Sequence, residues 1–117
     1  MITRFLPSIL ILAMVIFCCE DDKIEQHKIK YEVRTSPWQG MLKISYTGPF
    51  GLEEVDITVN EEGKWPSLLY TFSTGDFVRL DLISCGVKPN CSGYIYMDGV
   101  EVASCDGEGA HCLYLVP

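Results

Sequence analysis

The apolar residues of this chain recur at every second position, and that period decides the fold class. Ile29, Tyr31 and Val33 alternate with Lys30, Glu32 and Arg34, and Leu42, Ile44 and Tyr46 alternate with Lys43 and Ser45. Val55, Ile57 and Val59 alternate with Glu54, Asp56 and Thr58, and Val78, Leu80 and Leu82 alternate with Arg79, Asp81 and Ile83. Val100 and Val102 alternate with Glu101 and Ala103, and the chain closes on Leu113-Tyr114-Leu115-Val116. A helix buries one face at a period near 3.6, and no stretch beyond the N-terminal apolar run shows it. Turn-forming clusters separate the runs at intervals of about ten residues, among them Gly48-Pro49-Phe50-Gly51, Asn60-Glu61-Glu62-Gly63 and Ser73-Thr74-Gly75-Asp76. Asp98-Gly99 is the sharpest, because a two-residue type I′ hairpin needs positive φ at both positions. Short strands with one buried face each, closely punctuated by turns, predict a single antiparallel β-sandwich of seven or eight strands over residues 29–117.

A sandwich of that size has a limited core, and small exported domains commonly add covalent staples. Cys85, Cys91, Cys105 and Cys112 therefore read as two disulfides, for which three connectivities exist. Local pairing, Cys85–Cys91 with Cys105–Cys112, would join residues flanking hairpin connections. The long-range alternative joins Cys91 to Cys112 and Cys85 to Cys105, and the sequence leaves both open. Structural zinc is disfavoured, since its cysteine pairs usually sit two to four residues apart and these are more widely spaced.

The N-terminus supplies an address. Arg4 precedes the apolar run Ile9 to Phe17, which is too short to span a bilayer and has the layout of a secretory signal peptide. The run ends in Cys18-Cys19 and switches at once to Glu20-Asp21-Asp22-Lys23. In this it resembles bacterial lipoproteins, whose signal peptidase cuts before a cysteine that then carries acyl chains. Cys19 is the favoured anchor, because the residue before the cut should be small and is then Cys18; with Cys18 as the anchor, the less favoured register, it would be Phe17. The acidic run is similar to the surface-export tether of Bacteroidota-type lipoproteins, which implies an outer-membrane, surface-exposed location. The expected organisation is a signal peptide at 1–18, a lipidated acidic tether at 19–28 and the sandwich from 29 onward. Cleavage before Cys19 leaves 99 residues and moves the net charge from −7 to −8, since the lost segment carries Arg4 and no acid.

From Tyr31 onward the chain resembles a small immunoglobulin-like domain of bacterial envelope lipoproteins and of the mycobacterial MmpS transport-accessory proteins. Tyr31-Glu32-Val33, Ile44-Ser45-Tyr46-Thr47, Gly75-Asp76-Phe77-Val78-Arg79-Leu80 and Ser92-Gly93-Tyr94-Ile95-Tyr96-Met97-Asp98-Gly99 carry the likeness. It implies an Ig-like all-β fold and assigns no functional residue.

Catalytic machinery is not legible. His27 falls in the expected tether, and His111 neighbours Cys112, but adjacent strand residues face opposite ways. Asp106-Gly107-Glu108-Gly109 and Glu53-Glu54-Val55-Asp56 lack the ligand spacing of a calcium loop. No glycine-rich phosphate loop is present, and nothing calls for a metal or another cofactor. The acidic balance excludes a nucleic-acid binder, which needs a basic face. Binding chemistry is better represented. Tyr94 and Tyr96 are out of phase with Ile95, and if they face outward they form a platform for a glycan or a protein, with Ser92 beside them. The favoured reading is that they cap the core at strand ends and cover an edge, and Trp38, Trp65 and Tyr114 share it. Ser92-Gly93-x-x-Tyr96 is also similar to the signature of the membrane-bound C-type lysozyme inhibitor family, which implies an acidic inhibitor with Ser92 and Tyr96 in the enzyme's cleft; the family's downstream Thr-Lys-Gly-type motif is replaced by Asp98-Gly99-Val100-Glu101. The expected protein is a lipid-anchored, non-catalytic binding or accessory module whose partners are the membrane, through its anchor, and an envelope or extracellular protein or glycan.

Overall fold

Alternation of branched and aromatic residues with charged ones suits a pleated strand buried on one side, and the chain folds accordingly. A computed structural model describes residues 24–36, 40–86 and 90–117. The signal peptide, Cys18, Cys19, the acidic run to Lys23, and Trp38 lie outside the described residues. Among those described there are nine strands: β1 (Gln26–Thr35), β2 (Met41–Gly48), β3 (Gly51–Thr58), β4 (Lys64–Pro66), β5 (Tyr70–Ser73), β6 (Phe77–Ser84), β7 (Cys91–Met97), β8 (Val100–Asp106) and β9 (His111–Leu115). The count exceeds seven or eight because β4 and β5 are short pieces with no alternation to betray them. They pair end to end along one side of β1.

All pairings are antiparallel and make two sheets. The first runs β4-β1-β7-β8 with β5 also on β1, and the second runs β3-β2-β6-β9. Their inner faces share one core, with Ile29, Tyr31, Val33 and Ile95 from the first sheet and Leu42, Ile44, Val78, Leu80 and Leu82 from the second fully buried. Each such side chain contributes about 1.5–3 kcal/mol by leaving water. β1 begins at Gln26, so Gln26 to Lys28 are paired strand and not the end of a linker. The Asp98-Gly99 turn has positive φ at both positions, 52° and 86°, the type I′ geometry its sequence predicts.

Two details depart from simple alternation. A bulge on the β7–β8 ladder pairs Ile95 with Ala103 and Tyr96 with Glu101, leaving Val102 as the extra residue. Val100 is consequently exposed and Val102 only half-buried. On β9 it is Cys112, Tyr114 and then Val116 that turn inward, while Leu113 and Leu115 stay exposed.

The disulfides are Cys85–Cys91 and Cys105–Cys112, with Cα–Cα separations of 5.9 and 5.2 Å. The pairing is local, but neither bridge spans a hairpin. Cys85 follows β6 in the second sheet and Cys91 opens β7 in the first, and Cys105 on β8 reaches Cys112 on β9 in the opposite sheet. The chain crosses between layers at both connections, so each bridge ties sheet to sheet. With all four thiols joined to one another, none is left as a zinc thiolate.

Candidate functional site

The outer face of the first sheet gathers the chemistry. Along β1 the polar phase, Lys28, Lys30, Glu32 and Arg34, points away from the core, and the register sets Lys30 beside Tyr96, Glu32 beside Tyr94 and Arg34 beside Ser92. Ser92, Tyr94 and Tyr96 therefore share one face, as the platform reading requires. Gly93 between them is a packing residue. A Cβ there would meet Leu80 Cδ2 at 2.9 Å, Cys112 Sγ at 3.0 Å and Cys105 Sγ at 3.2 Å, so the inter-sheet bridge passes directly over it. The Ser-Gly pair thus has a structural cause on its Gly side.

The tyrosine rings are not bare. The Arg34 guanidinium lies 4.1 Å from the Tyr94 ring centroid and donates to the Tyr96 hydroxyl at 2.8 Å. Its Nε donates to Glu32 Oε2 at 2.5 Å, which holds Arg34 still further above its ordinary pKa. Lys30 Nζ sits over the Tyr96 ring, 5.6 Å from its centroid. Cations resting on ring faces gain from the ring quadrupole. Ser92 Oγ donates to Asp106 Oδ1 at 2.8 Å. The result is a tyrosine-and-cation surface rather than an open stacking shelf. Lys28, Lys30 and Arg34 are three of the nine cations in a chain of net charge −7. Sequence reasoning singled out Ser92, Tyr94 and Tyr96 and missed these three, although the outward phase of β1 was visible.

Beside Tyr96 the face dips into a groove of about 560 Å³. At its end the hairpin tip is fastened to β1: Asp98 accepts from the Lys28 backbone N–H at 2.9 Å and lies 2.7 Å from His27 Nδ1. The Lys28 N–H first, and then the His27 ring, hold the Asp98 carboxyl below its usual range. His27 belongs to β1, not to a tether.

A second polar constellation crosses the outer face of the second sheet. Ser45 on β2, Asp81 on β6 and His111 on β9 stand in one row. Asp81 Oδ2 accepts from Ser45 Oγ at 2.8 Å, and Asp81 Oδ1 lies 2.6 Å from His111 Nδ1 and accepts from the Arg79 guanidinium at 3.0 Å. Burial alone would raise the Asp81 pKa, but the bonds from His111, Ser45 and Arg79 outweigh it and the net direction is down. The three residue types are those of a hydrolytic triad, yet the order is wrong: the carboxylate stands in the middle, and serine and histidine are two strand spacings apart, about 9.5 Å. Ser45 donates its proton to a carboxylate that His111 and Arg79 already engage. This row clasps three strands together and does not activate a nucleophile.

Comparison with protein-family models, with curated proteins and with solved structures finds no match to this chain.

Proposed function

We propose that this protein is a lipid-anchored envelope protein, held through Cys19 and facing the cell exterior, whose sandwich serves as a non-catalytic binding or accessory module. One observation carries the binding role: on one sheet face of an acidic chain, Lys30 and Arg34 rest on the rings of Tyr96 and Tyr94, with Lys28 on the same strand face. Tyr and Arg dominate protein hot spots, and cations laid on tyrosine rings offer a partner charge as well as contact. An Ig-like classification is supported by the crossing pattern, with β1 beside β5 in one sheet and β2 beside β6 in the other, as strands B–E and C–F lie in immunoglobulin-type sandwiches. The β7–β8 hairpin is this chain's addition to the first sheet, and it brings both tyrosines.

The inhibitor reading of the same hairpin has less support. Ser92 and Tyr96 stand within strand β7 and not in a protruding loop, and their hydroxyls already hold Asp106 and Arg34. Micromolar protein is expected to leave C-type lysozyme turnover unchanged.

Crosslinking on intact cells tests the binding role. Tyr94→Ser with Tyr96→Ser should abolish the crosslinked species that the unaltered protein gives, and an identical pattern from both overturns the reading. The intact mass of detergent-extracted protein tests the anchor. Acyl mass on a chain beginning at Cys19 is expected, and an unmodified chain beginning elsewhere refutes it.

A further inference from the structure

We infer that the groove beside Tyr96 binds an extended acidic peptide, two carboxylates at alternate positions with an apolar side chain at the next position of the same phase, presented by a partner protein. The inference deepens the binding role proposed above and rests on it.

The charge in the groove is unequally satisfied. Its two acids are engaged, Glu32 by Arg34 at 2.5 Å and Asp98 by His27 at 2.7 Å. Its two lysines are not: among the described residues neither Lys28 nor Lys30 has a carboxylate within ion-pair distance. Lys28 Nζ donates only to the Thr71 hydroxyl, at 2.9 Å, and Lys30 rests on the Tyr96 ring. Lys28 and Lys30 thus bring two ammonium groups to a groove whose acids are already bonded elsewhere, and the groove is open to an anion.

Spacing and shape narrow the class. Lys28 and Lys30 are alternate residues on one strand face, separated by about 6.5–7 Å, and an extended peptide repeats its own alternate side chains at the same interval. Two carboxylates at i and i+2 of such a peptide therefore meet two ammonium groups without strain. Leu69, 62% exposed in the β4–β5 connection, and the Tyr96 ring give the groove an apolar wall that a peptide's aliphatic side chain fills. A neutral sugar would need a bare aromatic face, and both rings are covered by cations. A polyanionic glycan would meet the lysines but leave Leu69 unused.

The test uses the full-length protein in detergent and three fluorescent probes: a seven-residue peptide with aspartate, glutamate and leucine at its second, fourth and sixth positions, the same peptide with asparagine and glutamine in place of the acids, and an oligogalacturonate. Anisotropy is expected to show binding of the acidic peptide that weakens with added salt, with roughly tenfold weaker binding of the amide peptide. Lys28→Gln with Lys30→Gln should weaken the acidic peptide roughly tenfold, whereas Lys43→Gln on the opposite sheet should leave it unchanged. Equal binding of acid and amide peptides, or indifference to the lysine variants, overturns the inference. Preference for oligogalacturonate over the peptide overturns the peptide class while retaining an anion site. If the crosslinks depend on Tyr94 and Tyr96 but no acidic peptide binds, the inference falls and the binding role stands. If neither behaves as expected, both fall.

Discussion

The sandwich has two open flanks, and they are closed by different chemistry. Where β8 lies against β9 the inner side chains are small, with Gly93, Ala103 and Ala110 among them, and the gap is spanned by Cys105–Cys112. On the opposite flank, where β4 and β5 pass β2, four aromatic rings fill the space. Tyr46 packs on Tyr31, Trp65 and Tyr70 with ring centroids 5.2, 6.1 and 5.8 Å away. Their polar ends are satisfied inside the structure: the Tyr31 hydroxyl donates to the Thr47 carbonyl at 2.7 Å, and those of Tyr46 and Tyr70 meet at 3.1 Å. Burial accordingly raises the Tyr31 and Tyr46 pKa values beyond the ordinary phenol range. One flank holds by area and the other by a bond, so the same perturbation acts on them differently.

The largest effect is expected on the aromatic flank. Tyr31→Ala empties the centre of the core and strips Thr47 of a hydrogen-bond donor, and should cost about 3–5 kcal/mol in urea unfolding, with or without reductant. Next comes the stapled flank. Cys105→Ala with Cys112→Ala removes a short covalent loop and should cost about 2–3 kcal/mol by the chain-entropy account. Reductant should then lower the unfolding midpoint of that variant less than that of the unaltered protein, since only Cys85–Cys91 remains to be broken. If the two variants responded alike to reductant, the division of labour between the flanks would be wrong. Gly93→Ala sharpens the comparison within the stapled flank. Its new methyl group must displace Leu80 or the bridge sulfurs, a cost of about 1–3 kcal/mol that should shrink once Cys105 and Cys112 are both alanine.

The two flanks were unequally legible in the sequence. A period of two suffices to name Ile29, Tyr31, Val33, Leu42, Ile44, Val78, Leu80 and Leu82 as inward residues, because burying one face of a pleat leaves no other phase. Turn chemistry fixed the Asp98-Gly99 hairpin for the same local reason. What a local pattern cannot carry is a register between distant strands. Arg34 and Tyr96 are 62 residues apart in the chain, and only the pairing of β1 with β7 brings the guanidinium onto the tyrosines. The candidate site was therefore half visible, its aromatic residues readable and its cations hidden among ordinary strand-face charges. The bulge at Val102 and the outward turn of Leu113 and Leu115 escaped for a related reason, since each depends on which neighbour a strand acquires.

The smallest expected effect lies in the row that joins the two flanks across the outside of the second sheet. Asp81 links Ser45 on β2 with His111 on the edge strand β9, so it helps to hold β9 wherever the bridge does not. Its carboxyl titrates below the ordinary value of 3.8 when folded. Its stabilisation is therefore fully present above 3.8 and disappears as pH falls through the depressed folded value. Asp81→Asn keeps the shape and some of the hydrogen bonds but loses the charge. At neutral pH it should cost about 1 kcal/mol, with a shallower loss of stability on acidification than the unaltered protein shows. Hydrogen exchange locates the effect: in the variant lacking Cys105 and Cys112, acid should speed exchange of the β9 amides before that of β1. Simultaneous release of both strands would mean that β9 draws its hold from the common core alone, and that the Asp81 row adds nothing to the stapled flank.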